Sequence, residues 1–209
     1  MTINSRHSHV LSIRLQRSLN RLLGEVRACR ACEQQLPFEP RPILVATTTA
    51  RLLIVGQAPG VRAHESGVPW NDSSGDRLRQ WMGINRASFY DETRIAIIPM
   101  GYCYPGRAQS GDLPPRAECA ALWLDQLLQH LKHIQLTLLI GRFAQTHYLG
   151  KRRKTTLTET VRAWRDYQPK FLPLPHPSGR NNAWMHHNPW FEAEVLPILR
   201  NSCRTLDLV

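Results

Sequence analysis

Four of the five cysteines in this chain of 209 residues are spaced as ligands would be. Cys29 and Cys32 form a CxxC pair, and Cys103 and Cys119 stand sixteen residues apart on either side of a polar loop. In a chain with no sign of secretion such a set suits a metal better than disulfides. Tetrahedral ligation by four thiolates would satisfy zinc, and the same four would equally hold an iron-sulfur cluster. The spacing does not separate the two. Cys203, alone in the terminal segment, reads as a buried thiol.

A second kind of chemistry is suggested by Arg51 to Trp81. The apolar run Arg51 to Val55 ends abruptly in Gly56-Gln57-Ala58-Pro59-Gly60, so a buried strand runs straight into a tight loop. A second Gly/Pro turn, Gly67-Val68-Pro69-Trp70, presents an aromatic ring, and Asn71, Asp72 or Ser73 then caps a helix reaching about Met82. The end of an α/β strand is the usual place for a ligand. A polar loop facing an aromatic wall makes a pocket for a flat heterocycle; a strand, loop and helix with a core tryptophan is the plainer reading.

The elements that must hold these residues follow from periodicity. Residues 1–8 are expected to be disordered, and residues 9–209 to form one domain. From Val10 to about Arg27 apolar residues recur at helical spacing among arginines. Ile43 to Val45 and Leu52 to Val55 flank a polar turn and read as two strands that could pair as a hairpin. Arg94 to Pro99, Leu136 to Ile140 and Phe171 to Leu174 are further strands; helices are expected from Pro114, from Arg142 to Leu149, from Thr158 to Trp164 and from Trp190 to Leu199. Strands alternating with helices make an α/β domain with a mostly parallel sheet.

Lys plus Arg number 27 against 16 Asp plus Glu, a formal charge of +11 that favours an anionic partner. Only Lys132, Lys151, Lys154 and Lys170 are lysines, so the positive surface is made of arginine, suited to bidentate phosphate contacts. The run Lys151 to Lys154 is a solvated turn or a phosphate contact. No apolar run approaches membrane-spanning length and the N-terminus lacks the apolar segment of a signal peptide, so a cytoplasmic protein without membrane contact is expected.

GQAPG after a strand, the four-cysteine spacing, and His176-Pro177-Ser178-Gly179-Arg180-Asn181 after the last strand together resemble the uracil-DNA glycosylase superfamily. The cysteines and GQAPG are similar to its iron-sulfur branch, family four. GVPW, RLRQWMGI and HPSGRN are similar to its single-strand-selective monofunctional branch. The resemblance implies a three-layer α/β/α fold around a central, mostly parallel four-stranded sheet. It implies a hydrolase that flips uracil or a related deaminated base out of DNA and cleaves its N-glycosidic bond, starting base excision repair. DNA is then the partner, with association to the nucleoid and no obligate protein partner.

The same resemblance assigns residues. Trp70 matches the base-stacking aromatic, Gln57, Ala58, Pro59 and Gly60 the motif around the base and the attacking water, and His176 the histidine that donates to the base carbonyl. Ser178, Gly179, Arg180 and Asn181 match the loop that enters the minor groove, with Arg180 as wedge and Ser178 on a phosphate. Cys29, Cys32, Cys103 and Cys119 would hold a 4Fe-4S cluster, zinc being the alternative.

The chain also departs from the family's pattern. Ala58 replaces the Asp or Asn that positions water in several branches, and Gln57 replaces the neighbouring Glu of the iron-sulfur branch. Of the nearby carboxylates Glu65, Asp72 and Asp76, Asp72 is favoured as catalytic because it follows the Trp70 wall; capping the next helix is its other role. Where the branches place an Asn to read uracil, this chain has Pro99, Met100 and Gly101, so the base edge falls to backbone groups, to Asn71 or to another residue, and a base other than uracil is open. With no lysine in these motifs a monofunctional enzyme without lyase chemistry is expected. The alternative is a superfamily fold that binds or crosslinks to damaged or abasic DNA without turnover.

Overall fold

The computed structural model describes residues 3–209, with side chains from Ser12 onward. Helix α1 (Ile3–Arg27) begins well before Val10, and residues 1 and 2 of the stretch expected to be disordered lie outside the described residues. Among its described side chains Leu19, Leu22, Leu23 and Val26 are buried, whereas Ile13 and Leu15 stay exposed. Strand β1 (Leu52–Val55) leads to α2 (Val61–Ser66), α3 (Ser73–Met82) and α4 (Arg86–Phe89). After β2 (Ile95–Ile97) comes a small hairpin, β3 (Arg107–Ala108) with β4 (Gly111–Asp112), then α5 (Ala117–Cys119) and α6 (Asp125–His130) joined by a π-helical turn. The chain continues through β5 (Leu136–Ile140), α7 (Gly141–Leu149), α8 (Leu157–Arg162), β6 (Phe171–Leu174), α9 (Asn182–His187) and α10 (Leu196–Thr205).

The central sheet has the order β2-β1-β5-β6 and every pairing in it is parallel. Each of its strands is buried on both faces, as continuous aliphatic runs require. Alternation along the strands sorts them into two cores. Leu52, Ile54, Ile95, Ile97, Leu138 and Leu172 pack with Leu78, Trp81 and Met82 of α3 and with Phe191 and Leu199. Leu53, Val55, Ala96 and Leu139 face the other way, onto Leu19, Leu23 and Val26 of α1 and Leu127 of α6. Two helical layers thus enclose one sheet, the three-layer α/β/α arrangement expected. Each such fully buried aliphatic contributes roughly 1.5–3 kcal/mol, so Leu78→Ala would cost about 2–5 kcal/mol.

The expected hairpin between 43–45 and β1 does not form. Val45 instead makes an antiparallel bridge to Ile97 on the edge strand β2, and Ile43 N donates to the Tyr102 carbonyl past the end of that strand. A polar turn between two apolar runs carries no information on which strand the first run joins. The helix expected from Pro114 starts only at Ala117. Helices α2, α4 and α9 have six, four and six residues, too few for an apolar period to register in the sequence. No helix among the described residues is long and apolar enough to cross a membrane.

Candidate active site

Parallel strands deliver their C-terminal loops to one edge of the sheet, and there the loops after β1, β2 and β6 enclose a cavity of about 410 Å³. Gly56 to Gly60, Trp70, Asp72, Pro99, Asp112, His176, Ser178, Arg180 and Asn181 line it, with Ile43 and Ile97 behind. The stretches 56–60, 70–72 and 176–181, separate in sequence, therefore share one space. Its volume lies in the range of small-molecule sites.

Trp70 is held by its backbone as much as by its ring. Its φ of 56° is left-handed, a conformation that costs a bulky residue on the order of 1–3 kcal/mol and persists only when its surroundings enforce it. Three groups do so. Tyr90 Oη donates to the Trp70 and Pro69 carbonyls at 3.2 and 2.9 Å. The buried Arg79, paired with Asp76 at 2.5 Å, reaches the same Trp70 carbonyl at 3.4 Å and lies over the Phe89 and Tyr90 rings. Gly75 in α3 leaves the room, since a Cβ there would overlap that carbonyl. The indole consequently rests against Gly56 and stacks on the His176 imidazole, centroids 5.5 Å apart and planes 30° off parallel.

His176 follows β6 on a loop braced from within: Asn181 Nδ2 donates to the His176 carbonyl at 2.7 Å, and Ser178 Oγ accepts from Arg180 N at 3.2 Å. Arg77 of α3 ties the loop to the helix through the Ser178 carbonyl and Asn182 Oδ1. Burial pushes the imidazole below its ordinary value; Asp72 opposes the shift and Arg180 adds to it. At neutral pH the ring is therefore neutral, keeping one N–H to donate. The Arg180 guanidinium crosses the cavity mouth and donates to the Ser110 carbonyl at 3.1 Å.

Asp72 takes the capping role and also lines the cavity. Its Oδ1 caps α3 by accepting from Gly75 N at 2.9 Å, while Oδ2 comes within 3.9 Å of where a Gly60 Cβ would lie. Asp112, from the β4 strand, brings its own Oδ2 within 3.8 Å of the same point. Two carboxylates thus flank the end of the GQAPG loop. Asp112 had no signal in the sequence, because the two-residue strands that present it are below the length at which any pattern is visible.

Asn71, Met100, Gly101 and Gly179 do not reach the cavity. Asn71 Oδ1 accepts from Arg86 at 2.9 Å, away from the lining. Met100 and Gly101 are buried behind it: their amides continue the pairing of β2 with β1 by donating to the Gly56 and Gln57 carbonyls at 3.0 and 2.9 Å. The Met100 side chain joins the α1-side core, and Gly101 is packed against Pro115. Gln57 lines the cavity, but its amide donates to the Leu113 carbonyl at 3.0 Å. Gly179 is exposed and outside the lining.

The four cysteines come together where the end of α1 meets the loop after β2. Cys32, Cys103 and Cys119 are buried, and Cys29 half-buried. Burial above all, with smaller pushes from the other cysteines, raises Cys103 to about 12 and Cys119 to about 11. Backbone N–H groups point at the sulfurs, Tyr102 N at Cys119 Sγ (3.4 Å) and Arg41 N at Cys103. Among the described residues no group of three or more His, Cys, Asp or Glu is arranged to hold a single metal ion.

A family model described as the uracil DNA glycosylase superfamily matches residues 43–200. That span holds the whole sheet and every residue lining the cavity, and it begins after Cys29 and Cys32.

Proposed function

The chain belongs to the uracil DNA glycosylase superfamily, and from that membership we propose that it is a monofunctional DNA glycosylase releasing uracil or a related deaminated base from DNA. One observation carries the reading: stretches 56–60, 70–72 and 176–181 converge on a single cavity at the strand ends, roomy enough to take an extruded base. A glycosylase must hold an extruded base, exclude water from its face and stabilise the charge that builds as it leaves. Trp70 and His176 supply one aromatic wall, and the rigid left-handed turn at Trp70 fixes that wall before any substrate arrives. The neutral His176 donates its N–H to the carbonyl of the departing base. Asp72, with one oxygen committed to α3, turns the other toward the sugar side, where negative charge stabilises a cationic sugar. No lysine lines the cavity, in keeping with hydrolysis without a Schiff base.

The loop 178–181 and the arginine-rich surface are assigned to DNA, Arg180 filling the space left by the flipped nucleotide. We place the chain nearest the iron-sulfur branch, with Cys29, Cys32, Cys103 and Cys119 holding a 4Fe-4S cluster. The donor set fits: burial and, to a lesser degree, the neighbouring cysteines raise the cost of ionising Cys32, Cys103 and Cys119, and a cationic group bound among them would offset it. When bound, the cluster would supply a structural crosslink between α1 and the loop after β2.

The test is base release from oligonucleotides carrying uracil, hypoxanthine or xanthine, single- and double-stranded. Release of at least one base is expected. If all are left intact while abasic or damaged DNA is bound or crosslinked, the protein is the non-catalytic binder on the same fold.

A further inference from the structure

Asp112 and Asp72 approach Gly60 from opposite elements, yet they are not equivalent. Asp72 spends Oδ1 on the α3 cap. Among the described residues the Asp112 carboxylate accepts no hydrogen bond and forms no ion pair within 4.0 Å, although it lines the cavity. Its position is nonetheless fixed. The β3–β4 pairing sets Arg107 opposite Asp112, Leu113 N donates to the Gly106 carbonyl at 2.8 Å, and Gln57 donates to the Leu113 carbonyl at 3.0 Å. Position 57 therefore works as an amide tether from the GQAPG loop to the strand bearing the acid, a bond in which a carboxylate could not be the donor.

We propose that Asp112 holds the attacking water and takes its proton. The inference rests on the glycosylase reading above. As the C1′–N bond breaks, its electron pair leaves on the base, and His176 stabilises that charge. The water oxygen bonds to C1′, and the proton it sheds passes to Asp112, from which it returns to solvent or to the released base. Asp72 remains beside the sugar, its Oδ1 held by the α3 cap.

The charged and titratable groups facing Asp112 are Asp72 at the start of α3, Arg180 from the 176–181 loop, Arg107 on β3 and Tyr104 before it. Desolvation raises the carboxyl above its ordinary value, Arg180 and Arg107 oppose the rise, and Asp72 adds to it. Activity should accordingly fall on an acidic limb as Asp112 protonates.

Single-turnover base release across pH by wild type, Asp112→Asn, Asp112→Glu and Asp72→Asn tests this, with binding to an oligonucleotide bearing a cleavage-resistant 2′-fluoro deoxyuridine measured in parallel. Asp112→Asn should lose on the order of a hundredfold or more in rate, bind the probe as wild type does, and lack the acidic limb; Asp112→Glu should recover part of the rate. An Asp112→Asn rate within about threefold of wild type, with the limb intact, overturns the proposal, as does loss of probe binding in step with rate. Wild type that releases no base removes the glycosylase reading and this inference together, whereas active wild type with active Asp112→Asn removes the inference alone.

Discussion

Trp70 leans on Gly56: a Cβ at Gly56 would stand 2.9 Å from Trp70 Cζ2, closer than side chains pack. The glycine is there so that the indole can lie against the loop backbone and stack on His176. Gly56→Ala should push the ring off by a few tenths of an ångström. Because the clash is with one side chain at the cavity edge, kcat/KM should fall about tenfold or more while Tm changes little. Steady-state kinetics with thermal melts would check it; an equal fall in both would mean that the loop itself had unfolded.

His176 links function to pH. Burial pushes its folded value below the ordinary imidazole value, with Asp72 opposing and Arg180 assisting. The sign follows from linkage: the unfolded chain takes up the proton first, at about pH 6.5, so the stability conferred by the neutral ring is present above that pH and lost as pH falls toward the folded value. Urea midpoints measured from pH 7.5 to 5 should decline less steeply for His176→Gln than for wild type. The same variant should lose about a hundredfold in base release, as expected for removal of one fixed donor.

The fold was legible where strands were uniformly apolar, as in β1, β5 and β6, and where a capping residue opened a helix, as in α3. Motif residues Gly56 to Gly60, Trp70, Asp72 and His176 were legible because Gly and Pro punctuate strand ends. What escaped was tertiary. Nothing in RLRQW says that Arg79 is buried under the Trp70 carbonyl, or that Trp70 is left-handed. Met100 and Gly101 follow a strand, as base-reading residues do, but β-pairing and core packing claim them. Asp112 and Gln57 are fifty-five positions apart, and only the hairpin brings them into one site.

For the cysteines, anaerobically purified protein should contain iron and acid-labile sulfide with visible absorbance, and Cys103→Ser or Cys119→Ser should lose both. Because α1 and the loop after β2 would be untied, Tm should drop by more than a lone buried Cys→Ser change produces; Cys203→Ser, in the opposite core, should keep its iron. Protein with zinc and no iron would select the alternative metal.

Arg180 bridges to Ser110 across the cavity mouth, and a Cβ on Gly111 would collide with its guanidinium. To act as a wedge it must leave this contact when DNA enters. Arg180→Ala should slow base release from duplex about tenfold more than from single strands, which need no replacement of a stacked base. If it merely contacted phosphate, both substrates would suffer alike and the salt slope of binding would fall by about one.

Gln57 and Asp112 should be energetically coupled. If the Gln57 to Leu113 bond serves to place the Asp112 strand, Gln57→Ala will lower the single-turnover rate severalfold in the wild-type background and hardly at all once Asp112 is Asn, because there is no longer a carboxylate to misplace. Gln57→Glu should behave like Gln57→Ala or worse, since a carboxylate cannot donate to the Leu113 carbonyl and adds a negative charge to a site that already holds two. A double-mutant cycle built on rates gives the coupling directly. Additive losses would mean that Gln57 acts on the base and leaves the hairpin to hold itself; a vanishing second loss ties the amide at 57 to the carboxylate at 112.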